Sequence, residues 1–359
     1  MWDLLLIGLT TMLFLLPLLP ALQEWRLQRD ITPLDIIQSH AGHPHHFSDT
    51  FRVFIQNEMS ALTDHTRLFE PAENYYLIKE NDIFQPNQDE RQDQATQRIV
   101  IACGTLSLPE NFAFPREIYG KQTVVGIGGN YFRAILAEDK LFIGRRSTVL
   151  RWAHAHTIHV DSDCHLTGRL SAVEEIVLEA GCTFIRLHAP CVKFGTTVFI
   201  PPDRDIKENT LVDMRNPMLH QPDSGDDKDN RWISQGDLEF PENEIFCGDI
   251  VVRGNILIRR GARIIGSVKA SGTLRIEPSV TITGSLISSK QLIIAQSCIV
   301  GGPVVSEQRI NIDTGVVVGT MAKLTTLTAP VIHIATGSVI YGTAWARHQG
   351  LVRSAGKTG

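Results

Sequence analysis

The stretch GDIVVRGNILIRRGARII (248–265), GSVKASGTLRIEPSVTIT (266–283), GSLISSKQLIIAQSCIVG (284–301) and GPVVSEQRINIDTGVVVG (302–319) repeats every eighteen residues. Gly248, Gly266, Gly284, Gly302 and then Thr320 mark the beat. Apolar residues fall in fixed columns: Ile256, Leu274, Leu292 and Ile310; Ile258, Ile276, Ile294 and Ile312; Ile264, Ile282, Val300 and Val318; Ile250, Val268, Leu286 and Val304. A further column reads Ala262, Val280, Cys298 and Val316. Pairs at i and i+2 are strands with one buried face, and the Gly, Ser, Pro and Asn between them turn the chain. Three short strands and three corners make one coil. A single coil buries nothing, so the columns predict stacked coils, a parallel β-helix.

Traced outward, the beat reaches back to Trp232, Leu238, Phe240 and Phe246, eighteen residues ahead of Ile250, Ile256, Ile258 and Ile264. At the other end Ile332, Ile334 and Ile340 follow Ile310, Ile312 and Val318 by twenty-two residues, which places a four-residue insertion within 321–330. The spacing thus predicts a block of six coils over 231–342, about 29 Å long at about 4.8 Å per coil, and a short basic tail over 343–359. A less regular block is predicted over 98–200 from the columns Leu141, Ile158, Ile176; Ile143, Val160, Leu178; Ser147, Cys164, Cys182; and Val149, Leu166, Phe184. Between the blocks, 201–230 reads as a loop with Pro201, Pro202, Pro217 and Pro222 and an acidic patch at Asp223, Asp226, Asp227 and Asp229.

The N-terminus has another character. No charge occurs from Leu4 through Leu22 to Gln23, and Trp2 and Trp25 flank the run as interfacial aromatics do, so residues 1–23 are predicted to be a transmembrane anchor. A signal peptide would need a basic leader, and only Asp3 precedes the run. Arg26 and Arg29 follow it, which predicts a single pass through the inner (cytoplasmic) membrane with the C-terminal bulk in the cytoplasm. Residues 24–97 read as a juxtamembrane linker with one amphipathic helix, capped by Ser48 and apolar along Phe51, Phe54, Ile55, Met59 and Leu62. Gly42 and Pro44 break up His40, His43, His45 and His46, which therefore read as a solvated linker and not a metal site.

Composition narrows the function classes. Across 359 residues, a net charge of −5 gives no footing for nucleic acid, and six cysteines without a CxxC pair read as thiols in a reducing compartment. Gly126, Gly128 and Gly129 fit neither phosphate-loop pattern and read as a coil corner. His154, His156, His159, His165 and His188 cluster in the first block; His159 alternates with inward Ile158 and Val160 and so points outward, as His333 does between Ile332 and Ile334. No nucleophile is set beside them by the repeat, and Asp161 and Asp163 read as solvated corner carboxylates. The outward positions of the second block carry Arg253, Arg259, Arg260, Arg263, Lys269, Arg275, Lys290 and Arg309, with few insertions to wall a cleft. No catalytic, cofactor-binding or metal-binding residue is expected.

The Gly-x-Val/Leu and x-Ile-x-x-x-x-x-Ile-x-Gly units of 248–289 resemble the bactofilins, polymer-forming bacterial cytoskeletal proteins, over about 231–342. The resemblance implies a right-handed triangular β-helix that polymerises end to end without nucleotide, binds membrane and positions cell-envelope or morphogenesis machinery. In that family an aromatic in the last coil supports polymerisation; here GSVIYG (337–342) places Ile340 at its position. The resemblance therefore points to Ile332, Ile334, Ile340 and Tyr341 as a self-assembly end face, with copies of the chain, the membrane and envelope proteins as partners. Three departures are the integral anchor, the additional block and the insertion before the last coil. Two alternatives follow: a non-polymerising assembly or binding factor in which the first block caps the second, and a β-helical acyltransferase or carbohydrate-active enzyme with a cleft near 154–159.

Overall fold

The computed structural model describes Leu6 and residues 45–64, 75–78, 82–196 and 231–355. The chain divides into two units, Met1–His46 and Phe47–Gly359, and the second holds an all-β solenoid of about 12 turns. The anchor expected over 1–23 lies, apart from Leu6, outside the described residues. Among those residues no helix is long and apolar enough to cross a membrane.

In the second block each coil has three strands. Arg231–Ser234, Asp249–Val252, Val268–Ala270, Leu286–Ser288 and Val304–Ser306 stack on the first side. Leu238–Phe240, Ile256–Ile258, Leu274–Ile276, Gln291–Ile294 and Arg309–Ile312 stack on the second. Ile245–Cys247, Arg263–Ile265, Thr281–Ile282, Ile299–Val300 and Val317–Val318 stack on the third. All pairs are parallel, and register steps by one repeat, as in Ile256↔Leu274↔Leu292↔Ile310. The inward columns form a continuous buried core from Ile250 to Ile334.

The corners explain the beat. Gly284 N donates to Gly266 O at 2.9 Å, and Gly284 O accepts from Gly302 N at 3.0 Å. A Cβ on Gly284 would stand 2.4 Å from Gly266 O, so only glycine lets adjacent coils approach there. At another corner side-chain oxygens replace the strand ladder: Asn255 N donates to Asp237 Oδ1 at 2.7 Å, and Thr273 N donates to Asn255 Oδ1 at 2.8 Å. Arg259 bridges Glu239 and Glu277 on either side of its coil at 2.7 and 2.9 Å.

The first block begins at Tyr75, not near 98. Its opening coil is Tyr75–Ile78, Asp82–Ile83 and, in place of a third strand, a short helix, so the periodic signal is absent there. Long strands Thr148–Val160, His165–Leu178 and Thr183–Phe194 turn the corners unbroken, with register shifts such as that between Ala172 and Glu175. The residues expected to form a tail are strand too: Ser338–Arg353 runs along all three sides, with Ala344, Ala346 and Val352 inward and buried.

Two helices complete the described chain. Helix α1, His46–Asp64, starts two residues before the expected Ser48 cap. It lies on the outside of the first block: Phe51 meets Trp152 edge-on at 5.7 Å, Arg169 sits over the Phe47 ring at 5.7 Å, and Arg52 pairs with Glu138 at 2.8 Å. Ile55 is buried, while Phe54, expected on the same face, is exposed and stacks on Phe51; the side chains of Met59 and Leu62 lie outside the described ones. Helix α2, Gln88–Asp93, is the one that fills the first coil, held by a capping box between Asn87 and Glu90.

Leu274 is fully buried between coils, whereas its neighbour Arg275 points to solvent. Leu274→Ala is expected to cost about 2–5 kcal/mol and Arg275→Ala under about 0.5 kcal/mol, as read from urea unfolding midpoints.

Candidate assembly interfaces

The ends of a solenoid are candidate assembly surfaces, because an uncovered terminal coil presents unpaired strand edges and a cross-section of core. The ends expected to be open are not arranged as the repeat alone suggested. Strand Thr183–Phe194, the last coil of the first block, pairs antiparallel with Ser338–Arg353, the last coil of the second. Thr183 stands opposite Leu351, His188 opposite Thr343, and Val192 opposite Ile340. The two blocks therefore meet C-terminal end to C-terminal end in one chain, and every side of one continues into a side of the other.

The seam is closed by several kinds of contact. Backbone bonds cross it from Gly181 N to Val352 O (2.9 Å), Val352 N to Cys182 O (2.9 Å) and Gly337 N to Phe194 O (2.6 Å). Inside, Phe184 and Phe194 lie 6.0 Å apart, and Gly350 sits so close over the Phe184 ring that a Cβ would meet it at 2.4 Å. Outside, Arg186 lies 5.2 Å from the Trp345 ring centroid and His188 Nδ1 lies 2.8 Å from Thr343 Oγ1.

This arrangement corrects the self-assembly end face. Ile332 is sandwiched between Ile310 and Gly350, Ile334 between Ile312 and Val352, and Ile340 between Val318 and Val192. All three are fully buried in this chain, and Tyr341 beside them is half-buried. The face exists, but its partner is the chain's own first block. The small residues Ala344, Ala346 and Gly350 that make this docking possible lie in the stretch 343–353, which keeps a step of seventeen or eighteen residues but places only one large apolar residue, Val352, inward on it.

Both outer ends are consequently N-terminal coils, and they are finished differently. In the first block Phe84 packs edge-on against Tyr76 (5.1 Å), Phe112 (5.8 Å) and Phe114 (5.6 Å). The Tyr76 hydroxyl donates to Glu90 of α2, and Thr96 Oγ1 donates to the same carboxylate at 2.7 Å. Burial alone would raise the Glu90 pKa; the bonds from Tyr76, Thr96 and Asn87 and the nearby Arg98 charge bring it below the ordinary carboxylate value. The second block ends on Trp232, Phe240 and Phe246, with ring centroids 5.7–6.4 Å apart. Phe240 is buried and the other two are half-buried. Among the described residues no second strand pairs with the outer edges of Arg231–Ser234 and Leu238–Phe240.

The histidines of the first block are not uniformly solvent-facing. His154 is only 4% exposed on the side that carries α1, and its Nδ1 lies 2.9 Å from Oγ of the buried Ser171. It faces outward from the coil, as alternation predicts, into a region roofed rather than open. His156 approaches Glu174 at 3.2 Å, His165 Nδ1 lies 3.0 Å from Thr183 Oγ1, and the rings of His159 and Phe142 are 6.1 Å apart. Asp161 accepts from Ser162 N at its own corner. Among the described residues no cluster of His, Cys, Asp and Glu could hold a metal ion; His40 and His43 lie outside them. None of the six cysteines is in a disulfide, three of them are buried, and burial pushes Cys298 up to about 12 and Cys191 up to about 11.

Comparison with family models, with curated proteins and with solved structures gave no match.

Two outcomes test the seam. Val192→Glu is expected to drop amide-exchange protection across 183–194 and 338–353 first, leaving 274–276 protected; uniform loss would mean the seam is not a separate unit. His333, next to the seam strand at Leu351, has its pKa held below the usual histidine value by burial and then by Arg353 and Arg309. Below about pH 6.5 the unfolded chain binds a proton that the folded one resists, so this contribution to stability falls on acidification. Thermal midpoints from pH 7 to 5 are expected to fall less steeply in His333→Asn.

Proposed function

We propose that this chain is a non-enzymatic, bactofilin-like scaffold, a right-handed triangular β-helix that assembles with copies of itself through a coil end without nucleotide. The observation that carries the reading is the terminal coil 231–247, where Arg231–Ser234 and Leu238–Phe240 each pair with a single strand among the described residues, beside the Trp232–Phe240–Phe246 cross-section. Such an end is a template for a further strand layer. The apolar run 4–23 supports attachment to the inner membrane, with the solenoid on the cytoplasmic side and envelope or morphogenesis proteins as its clients.

The seam modifies this reading. With the C-terminal ends of both blocks consumed in one chain, and the first block closed by α2 and the Tyr76–Glu90 bond, growth is confined to the 231–247 end. The scaffold then pairs rather than forming long filaments, which brings it close to the reading in which the first block caps the second. An isologous pair fits a two-fold axis, since strands that meet their own copies edge to edge run antiparallel, as the seam strands do.

The full chain in detergent, examined by sedimentation, is expected to give two copies per particle, and Trp232→Arg to give one, with at least about a tenfold loss of affinity. Native chain that stays single at high concentration would remove self-assembly. Long polymers would mean that the first-block end is open as well.

A further inference from the structure

The seam makes one side of the two blocks continuous, and that side is treated differently in each half. Its outward row runs in register Ile233, Val251, Lys269, Ile287, Val305, Thr328, Trp345, and then across the seam Arg186, Arg169, Trp152. In the first block this row is the bed of α1, whose Phe47 and Phe51 sit on Arg169 and Trp152. In the neighbouring outward column of the same side His154, Ser171, Ile101 and Leu136 are buried. In the second block the same row stays open: Ile233 is 52%, Ile287 37% and Trp345 41% exposed, and Val251 and Val305 are half-buried.

We propose that this open row is the docking bed for an amphipathic, acid-flanked α-helix of a partner protein. Continuity is the first argument, because the row is an extension of a surface that already binds one helix. Length is the second. From Ile233 to Trp345 the row crosses six coil spacings, about 29 Å, which a helix of about nineteen residues spans; α1 itself has 19 residues. Charge is the third: Lys269 stands within the row, Arg253 and Lys290 stand at its edge, and Arg186 continues it. On the first block the arrangement is the reverse, an arginine on the helix (Arg52) meeting a glutamate on the solenoid (Glu138). A helix with leucine-type residues one turn apart and carboxylates beside them matches both the apolar and the basic positions. The inference does not depend on self-assembly, whose candidate surface is the coil end and not this side.

The test uses the full chain and a fluorescein-labelled synthetic nineteen-residue helical peptide with leucines on one face and glutamates flanking them. Anisotropy is expected to show binding that weakens with salt, and that weakens about tenfold or more in Ile287→Glu and in Lys269→Glu. A peptide with lysines in place of the glutamates is expected to bind less tightly. Because Ile287→Glu could perturb folding, a photo-reactive benzophenone side chain is placed at position 287 in a parallel sample. A covalent adduct with the peptide supports the bed. Equal binding by the substituted chains, no binding by the native one, or cross-linking of position 287 to the chain's own residues or to a second copy overturns it.

Discussion

Strand edges govern this molecule. A parallel coil satisfies its backbone N–H and C=O groups only through the coils above and below, so a stack of any length leaves two unsatisfied rims. One stack would have two, and two separate stacks would have four. By setting Thr183–Phe194 antiparallel to Ser338–Arg353, the chain joins two rims to each other and leaves two. The bonds at Gly181, Val352 and Gly337 are the local form of that economy, and the packing of Gly350 on Phe184 shows how tightly the two cross-sections must match. The direction of pairing then follows, since two C-terminal ends can face each other only with their strands reversed.

Phe194 stands at the seam, whereas Arg231 opens the second block in its far coil. Helix α1 uses the first block in a complementary way. It is fastened by Phe51 against Trp152 and Arg52 against Glu138, on a side where the outward Ile101, Leu136 and His154 are all buried. Side-chain direction within a strand is thus not the same as exposure.

The second block was legible because its columns repeat without error: Ile258, Ile276, Ile294 and Ile312 hold one register, and Gly266, Gly284 and Gly302 hold one corner. The first block was legible only where spacing stayed at seventeen or eighteen. Its opening coil escaped because α2 stands in for a strand and stretches the step to the next coil to twenty-four residues, as at Tyr76↔Val100 and Asp82↔Leu106. The seam escaped for a deeper reason. Antiparallel pairing between segments about 155 residues apart, as at His188 and Thr343, leaves no periodic trace, and its inward residues Ala344 and Ala346 are too small to stand out as a column. The burial of His154 likewise has no trace in the repeat, because alternation gives the direction of a side chain and not what lies over it.

The same constraint bears on what the ends can do. Because the seam pairs C-terminal rims, both remaining rims are N-terminal, and they differ only in how they are finished. At Tyr76 the rim carries a phenol tied to a carboxylate that two further donors hold in place, so adding a strand there would have to displace a satisfied network. At Trp232 the rim carries an aromatic cross-section and open strand edges, with no such network among the described residues. Among the described residues that displacement cost has no counterpart at the second end, so the proposed self-assembly is favoured at Trp232. Self-assembly through one rim per chain leaves the pair with no second rim of that kind, which is what sets a bounded assembly apart from a growing filament.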